Sequence, residues 1–338
     1  MPKVKLMSDQ QEDQYIQSFA PITIGNFSVG FDVLGLAVRP INGEPLGDVV
    51  TIYETDDFNF EVTGPHSNDV PKGEQNLACL AFQRIKETHD KLHECKAPVH
   101  LELVKNLPVG SGLGSSGASI VAALLAANHY YDDLLSLKEL LMVAADLEAV
   151  YTGSPCMDNV APCLTGGFQL MTQSTELPIV PVPFPQHWRI VLFYNGAEVL
   201  TESARSVLPE LVPLDTAINH AKNLAVFIQA LNLGADDLAA EHLYDLLAAP
   251  HREALLPHFS LFRDYARSQG AIATGISGSG PTVFAVCTDD EAAEDIAHYA
   301  QKRVLNEQGF AIVCEIDELG AHITGSEDDL DEDFQTTP

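Results

Sequence analysis

The sequence predicts an α+β protein built in two parts, and three observations lead there. Short segments alternate apolar and polar side chains, as half-buried strands do. Longer segments carry apolar residues at helical spacing. The two kinds do not follow the regular strand–helix alternation of a parallel α/β sheet. With 338 residues, 46% apolar and 20% charged, the chain suits one large or two ordinary globular domains.

In chain order, residues 1–13 form a polar extension. Strands are expected at 48–53 and 58–62, where the alternation is clearest, followed by a helix at 76–92 with Leu77, Leu80, Ala81 and Ile85 on one face. A strand at 99–104 leads into a glycine stretch and an Ala- and Leu-rich buried helix at 115–128. Ser136-Leu-Lys-Glu139 is a capping box and opens a helix running to about Tyr151. After Gly166-Gly167 come strands at 168–171, 179–182 and 189–194, then helices at 215–231, 236–248 and 252–268. Strands at 271–275 and 282–287, a helix at 290–305 and a strand at 311–316 complete the pattern. The expected division is an N-terminal domain, 14–175, and a C-terminal domain, 176–323. Residues 324–338 form an acidic tail too poor in apolar surface to order itself.

Eighteen basic residues against forty-eight acidic ones give a net charge of −30, a field that repels nucleic acid and anionic membranes and makes neither an expected partner. It also leaves few cations for an anionic substrate, so backbone amides must do part of that binding. Cys79, Cys95, Cys156, Cys163, Cys287 and Cys314 form no C-x-x-C pair, and no apolar run reaches the roughly 20 residues of a membrane helix. The first residues hold no apolar stretch of the signal-peptide kind, and a cytoplasmic protein with reduced thiols is expected.

The stretch PVGSGLGSSGA, Pro108 to Ala118, contains G-x-G-x-x-G at Gly112, Gly114 and Gly117. A dinucleotide fingerprint needs the first glycine directly after a strand and an acid closing the next strand. Here Asn-Leu-Pro-Val intervenes, and Asp132 and Asp133 join two helices. A Walker A loop fails too, because no Lys-Ser or Lys-Thr follows. What remains is a loop stiffened by Pro108, curled at its glycines, and leading with Ser115 and Ser116 into a helix. The free amides and dipole of that helix attract an anion, and its hydroxyls reach a phosphate oxygen or its metal ion.

This stretch resembles the second motif of the GHMP kinases, the small-molecule kinases named for galactose, homoserine, mevalonate and phosphomevalonate; Gly117 stands where that family usually has Ala. GISGSGPTVFAV, from Gly275 to Val286, resembles their third motif. Ala20-Pro-Ile-Thr-Ile-Gly-Asn-Phe-Ser-Val-Gly-Phe-Asp-Val-Leu-Gly resembles the opening motif of the family's homoserine kinases, A-P-x-x-x-x-N-x-x-x-G-F-D-x-x-G. Asp158-Asn159-Val-Ala-Pro, Thr201-Glu-Ser-Ala-Arg205 and Pro250-His-Arg252-Glu are similar to segments of the same group, and the likeness covers residues 15–320.

The resemblance implies a ribosomal-S5-like N-terminal half, a ferredoxin-like C-terminal half and a cleft where ATP meets L-homoserine. It further implies a homodimer. ATP would lie against Pro108, Val109, Gly110, Ser111, Gly112, Leu113, Gly114, Ser115, Ser116, Gly117 and Ala118, and against Gly278, Ser279 and Gly280. Mg2+ would meet Glu148 and Ser116, with Ser115 the alternative. Arg205 and Arg252 would clamp the homoserine carboxylate through their planar forks and Asp32 would balance the ammonium, while Asn26 and Asn159 would orient the amine or the hydroxyl. Thr201 would hydrogen-bond near the transferring group. Mevalonate-type relatives place an Asp base near the position of Asn159; an amide cannot act as one, so catalysis without a strong protein base is expected, Asp158 being a candidate the resemblance leaves unassigned.

Two other readings remain: another small-molecule kinase of the same fold, and a non-catalytic ligand sensor built on it. His89 and His93, at i,i+4 spacing, read as exposed helix surface rather than a zinc site, and Cys156 and Cys163 as packing residues.

Overall fold

The computed structural model describes residues 15–152 and 156–324, without the side chains of Tyr151, Thr152 and Thr201. The expected N-terminal extension and nearly all of the acidic tail lie outside the described residues. The strands are β1 (Ile16–Pro21), β2 (Thr23–Gly25), β3 (Leu34–Pro40), β4 (Gly47–Glu54), β5 (Asn59–Thr63), β6 (Val99–Val104), β7 (Phe168–Met171), β8 (Ile179–Val182), β9 (Arg189–Tyr194), β10 (Ala273–Ile276), β11 (Val283–Cys287), β12 (Phe310–Ile316) and β13 (His322–Thr324). The helices are α1 (Leu77–Asp90), α2 (Ser115–Tyr130), α3 (Leu137–Thr152), α4 (Val160–Thr165), α5 (Thr201–Ser206), α6 (Leu214–Asn232), α7 (Asp236–His242), α8 (Ala249–Arg252), α9 (Phe259–Ser268) and α10 (Asp290–Gln301).

Both layers of an α+β fold are present. One sheet has the order β13-β1-β4-β6-β5, antiparallel except where β5 runs parallel to β6. The other runs β10-β11-β9-β12-β3-β7-β8, with β2 paired to β3. Alternate residues of β9 and β11 serve two cores. Ile190, Leu192, Phe284 and Val286 join the large cluster that reaches through α2 to the first sheet, while Val191, Phe193, Val283 and Ala285 pack with α9 and α10. Helix α2 is buried on nearly every side, as a helix apolar all round must be.

The expected boundary near residue 175 falls within a hairpin, because β7 pairs with β8 from Phe168↔Val182 to Met171↔Ile179. The C-terminal β13 meanwhile pairs with β1, Gln17 opposite Thr324. The two parts therefore share hydrogen-bonded sheets and a core.

Three helices are shorter than their apolar spacing suggests; that expected at 290–305 ends at Gln301. The helix expected at 236–248 stops at His242, because the Asp245 carboxylate accepts from the amides of Leu247, Ala248 and Ala249 (2.7–3.1 Å) and competes with helical bonding. That expected at 252–268 begins only at Phe259, since Leu256, preceding Pro257, lies at φ −126°, ψ 70°, outside the helical region. The Ser136 capping box forms as expected, with the Ser136 amide donating to Glu139 Oε2 at 2.8 Å. No helix among the described residues is long and apolar enough to cross a membrane.

Candidate active site

A cavity of about 420 Å3 lies between the glycine loops. Its walls include Val109, Gly110, Ser111, Gly112, Gly114, Ser115, Ser116, Glu148, Asn159, Arg205, Arg252 and Gly278 to Gly280, together with Asn26 and Asp32. Residues 130 or more apart in sequence are thus brought together. Pro108, Leu113, Gly117 and Ala118 do not line it. All four are buried beneath the loop, where the Leu113 carbonyl accepts from the Thr23 amide (3.2 Å) and the Ala118 amide donates to the Gly114 carbonyl (2.9 Å).

Gly114 is the N-cap of α2 at φ +70°, and no side chain caps the helix, leaving the first amides directed at the cavity. A Cβ on Gly114 would fall 2.1 Å from Thr23 Oγ1, so the loop tolerates no side chain there. Gly112, at φ +79°, is equally confined: an added Cβ would meet the Ser277 carbonyl at 2.5 Å. The two glycine loops are laced together, Ser277 Oγ donating to the Gly112 carbonyl (2.6 Å) and the Thr282 amide to the Ser111 carbonyl (3.1 Å).

Under the first turn of α2 sits a buried ion pair. Lys105, 1% exposed, donates to Asp48 Oδ2 (2.5 Å), the Ser115 carbonyl (2.8 Å) and Ser119 Oγ (3.0 Å). Asp48, 0% exposed, also accepts from the amides of Asn106 (3.0 Å) and Leu107 (3.1 Å). Every polar group in this base has a partner, the condition under which a buried pair holds its geometry. No motif in the sequence marks either residue; a lysine at the end of a strand just before a glycine loop is too common a pattern to single out.

The hydroxyls of the two serines part company. Ser115 Oγ donates inward to the Leu107 carbonyl (3.1 Å), whereas Ser116 Oγ donates to Glu148 Oε1 (2.6 Å). Glu148 is buried, not an exposed helical acid, and its carboxyl is pushed up to about 7, chiefly by burial and further by the Asp158 charge, against the pull of Ser116 and Lys105.

On the opposite wall Asn26, Phe27 and Ser28 all adopt left-handed backbone, φ +71°, +36° and +60°. For phenylalanine this is strained, and the strain is offset by its ring, which stacks on Phe284 at 5.2 Å and meets Phe168 and Phe184 edge-on. The turn aims Asn26, whose Nδ2 donates to the Gly278 carbonyl (2.9 Å) and whose Oδ1 accepts from the Asp32 amide (2.9 Å). Asp32 meets Arg205 fork to fork, at 2.9 and 3.1 Å. Arg252, 4% exposed, donates to the carbonyls of Gly278 (2.8 Å) and Ala204 (3.2 Å), and among the described residues no carboxylate pairs with it. Both guanidinium groups lie near the Phe31 ring, at 5.2 Å for Arg252 and 5.9 Å for Arg205.

Asn159 Oδ1 accepts from Thr23 Oγ1 (2.9 Å), and its Nδ2 donates to Asp158 Oδ1 (3.3 Å). Burial also pushes the Asp158 carboxyl up, partly offset by the Cys156 thiol, which donates to it at 2.8 Å. Cys156 is therefore a cavity residue and not mere packing, while Cys163 is buried as expected. His89 departs from the surface role expected of it: it is 5% exposed, its ring 4.5 Å from that of Tyr131. Thr201 opens α5; its side chain is outside what the structure describes.

An amide-lined helix tip facing a buried carboxylate and a hydroxyl, with a charged recess alongside, defines a phosphoryl-transfer site for a small molecule. Two family models match this chain: the GHMP kinases N-terminal domain over residues 76–167 and the GHMP kinases C-terminal domain over residues 221–306. The chain belongs to the GHMP kinases, a family of ATP-dependent kinases. The structure is similar to homoserine kinase from Cytophaga hutchinsonii ATCC 33406 (33% identity, 94% of this chain and 99% of that one, TM-score 0.83). It is also similar to a Listeria monocytogenes protein described as a homoserine kinase (26% identity, 92% and 99%, TM-score 0.68). The L. major mevalonate kinase in complex with R-mevalonate shares the fold at 14% identity (89% and 96%, TM-score 0.65).

Proposed function

We propose that the protein is a homoserine kinase, transferring the γ-phosphoryl group of ATP to the δ-hydroxyl of L-homoserine to give ADP and O-phospho-L-homoserine. The observation that carries this reading is the single cavity joining an amide cradle to a recess with two guanidinium groups and a carboxylate, a set matched to an amino-acid zwitterion. The likeness to the Cytophaga hutchinsonii homoserine kinase supports it. The activity would serve threonine biosynthesis, and the free state of all six cysteines fits a reducing cytoplasm.

In this reading the amides of Ser115 and Ser116 and the Gly278–Gly280 loop take the phosphates, and Val70, Pro71, Leu77 and Val109 offer apolar surface for the base. Arg252 and Arg205 receive the acceptor carboxylate and Asp32 the ammonium. Asn26 lines the cavity; one N–H is spent on Gly278 and one Oδ1 lone pair on the Asp32 amide, and the second N–H and lone pair are left to orient the amine or the hydroxyl. Asn159 lies by the phosphate loop, 3.1 Å from a Cβ placed on Gly114, and takes the hydroxyl end.

Mg2+ fits the residues present. Ser116 Oγ and Glu148 Oε1 are adjacent hard oxygen donors, and an ion of this kind would keep phosphate and water as its other ligands. When bound it would neutralise phosphate charge. Asn159 is an amide and cannot act as a base, and the reading gives Asp158, whose Oδ1 accepts from Cys156 and Asn159, no proton-accepting role. The δ-oxygen forms its bond to phosphorus as the bond to ADP breaks, and its proton leaves late to a phosphoryl oxygen.

The test is ADP release with ATP and Mg2+ in the presence of L-homoserine, D-homoserine, mevalonate, shikimate or no acceptor. Release dependent on L-homoserine alone is expected. Release driven equally by mevalonate or shikimate would favour another kinase of this fold, and release with none of them a ligand sensor.

A further inference from the structure

Thr23 lies at a position that the opening motif leaves open, yet it touches two functional elements at once. Its amide donates to the Leu113 carbonyl in the phosphate loop (3.2 Å), and its hydroxyl donates to Asn159 Oδ1 (2.9 Å). Thr23 is 0% exposed, and β2, to which it belongs, also receives the Gly278 amide on the Gly25 carbonyl (3.0 Å). The phosphate loop, the acceptor segment and the C-terminal glycine loop are therefore registered on three consecutive residues.

The two bonds to Asn159 fix its amide in one sense. The Asp158 carboxylate, an acceptor only, sets the sense by needing Nδ2 opposite it, and the Thr23 hydroxyl, which can donate or accept, holds that sense by donating to Oδ1. We propose that Thr23 is a positioning residue that holds Asn159 as a hydrogen-bond donor. The carbonyl is consumed, and the second N–H of Nδ2 is left to meet the acceptor oxygen in the cavity that Asn159 lines. An N–H on that oxygen occupies one lone pair, leaves another for phosphorus and leaves the hydroxyl proton free to depart to phosphate. A carbonyl in the same place would bind that proton instead. This inference rests on the reading that Asn159 faces the acceptor hydroxyl.

The test uses the full chain with Thr23→Val, which keeps shape and loses the hydroxyl, Thr23→Ser, which keeps it, and each combined with Asn159→Ala. Thr23→Val is expected to lower kcat about tenfold with the KM for ATP held within about twofold, and Thr23→Ser to recover activity to within about threefold. In the Asn159→Ala background Thr23→Val is expected to cost nothing further. A second arm needs no acceptor. In protein labelled with 15N at asparagine, the side-chain amide pair that vanishes in Asn159→Ala should move or broaden in Thr23→Val and stay in place in Thr23→Ser. Equal loss in the valine and serine variants, additive loss with Asn159→Ala, or an unmoved amide pair would overturn the proposal. If the wild-type chain shows no homoserine-dependent turnover, the functional reading fails, and the amide resonances still decide the clamp.

Discussion

At the phosphate end of the cavity the attraction for anions comes from main-chain N–H groups at the tip of α2, backed by a lysine fully neutralised by Asp48. At the proposed acceptor end it comes from two guanidinium groups, one paired with Asp32 and one buried with no carboxylate partner among the described residues. A chain with a net charge of −30 has few cations to place, and in the proposed function they go where the ligand is small and zwitterionic. The larger charge of a triphosphate would then be left to dipoles fixed by the fold. Fixed dipoles need a rigid base; forked side chains need only a partner to exchange with. Substitutions at the two ends should therefore fail in different currencies.

The largest effect is expected at the base of the phosphate end. Lys105→Met strands Asp48 in the core and should cost about 3–5 kcal/mol of unfolding free energy, visible in urea titration, with a raised KM for ATP in whatever folded fraction remains. Glu148→Gln should keep the fold and lower kcat on the order of 10²–10³-fold in steady-state assays. It also carries a pH signature. The Glu148 carboxyl sits at about 7 in the folded protein against 4.5 for the free group, so the native state holds the proton more tightly. Stability present below pH 4.5 is lost as pH rises through about 7, on the order of 3 kcal/mol for a shift of this size. Thermal unfolding of the ligand-free protein across that window should show the slope, reduced in Glu148→Gln to what Asp158, shifted the same way, still contributes.

Arg205→Met should leave the KM for ATP and the fold nearly unchanged while raising the KM for homoserine about tenfold to a hundredfold. Equal damage to both KM values would erase the distinction between the two ends. The smallest effect is at Gly117. An added Cβ would lie 3.3 Å from Val160 Cγ1 and 3.4 Å from Glu148 Oε1, contacts that need only slight adjustment. Gly117→Ala gains helix propensity of up to about 1 kcal/mol, so its net change in unfolding free energy, read from urea titration, should stay within about 1 kcal/mol of zero.

Much of this was readable from residue patterns alone. Strands β6, β7, β8 and β9 begin and end where alternation or turn residues place them, and Asn76 caps α1 at the start of its apolar face. The strands β1 to β3 were not visible, because residues 16–40 are almost continuously buried and lack a period that separates strand from loop. The ends of α7 and α9 depended on where one carboxylate and one proline act. Within the site the first glycine loop stands out by its own pattern, and the second loop, Glu148 and both arginines by the resemblance to the family. The opposite turns of the Ser115 and Ser116 hydroxyls, the Lys105–Asp48 base and the hold of Thr23 on Asn159 were not, since each joins partners tens to more than a hundred residues apart or depends on side-chain direction.

The most direct test of a triphosphate held by main-chain amides is a titration of 15N-labelled protein with a non-hydrolysable ATP analogue and Mg2+. The largest shifts are expected at the amides of Gly112 to Gly117 and Gly278 to Gly280. Saturable binding that leaves those amides unmoved, with the main shifts on surfaces outside this cavity, would contradict the account.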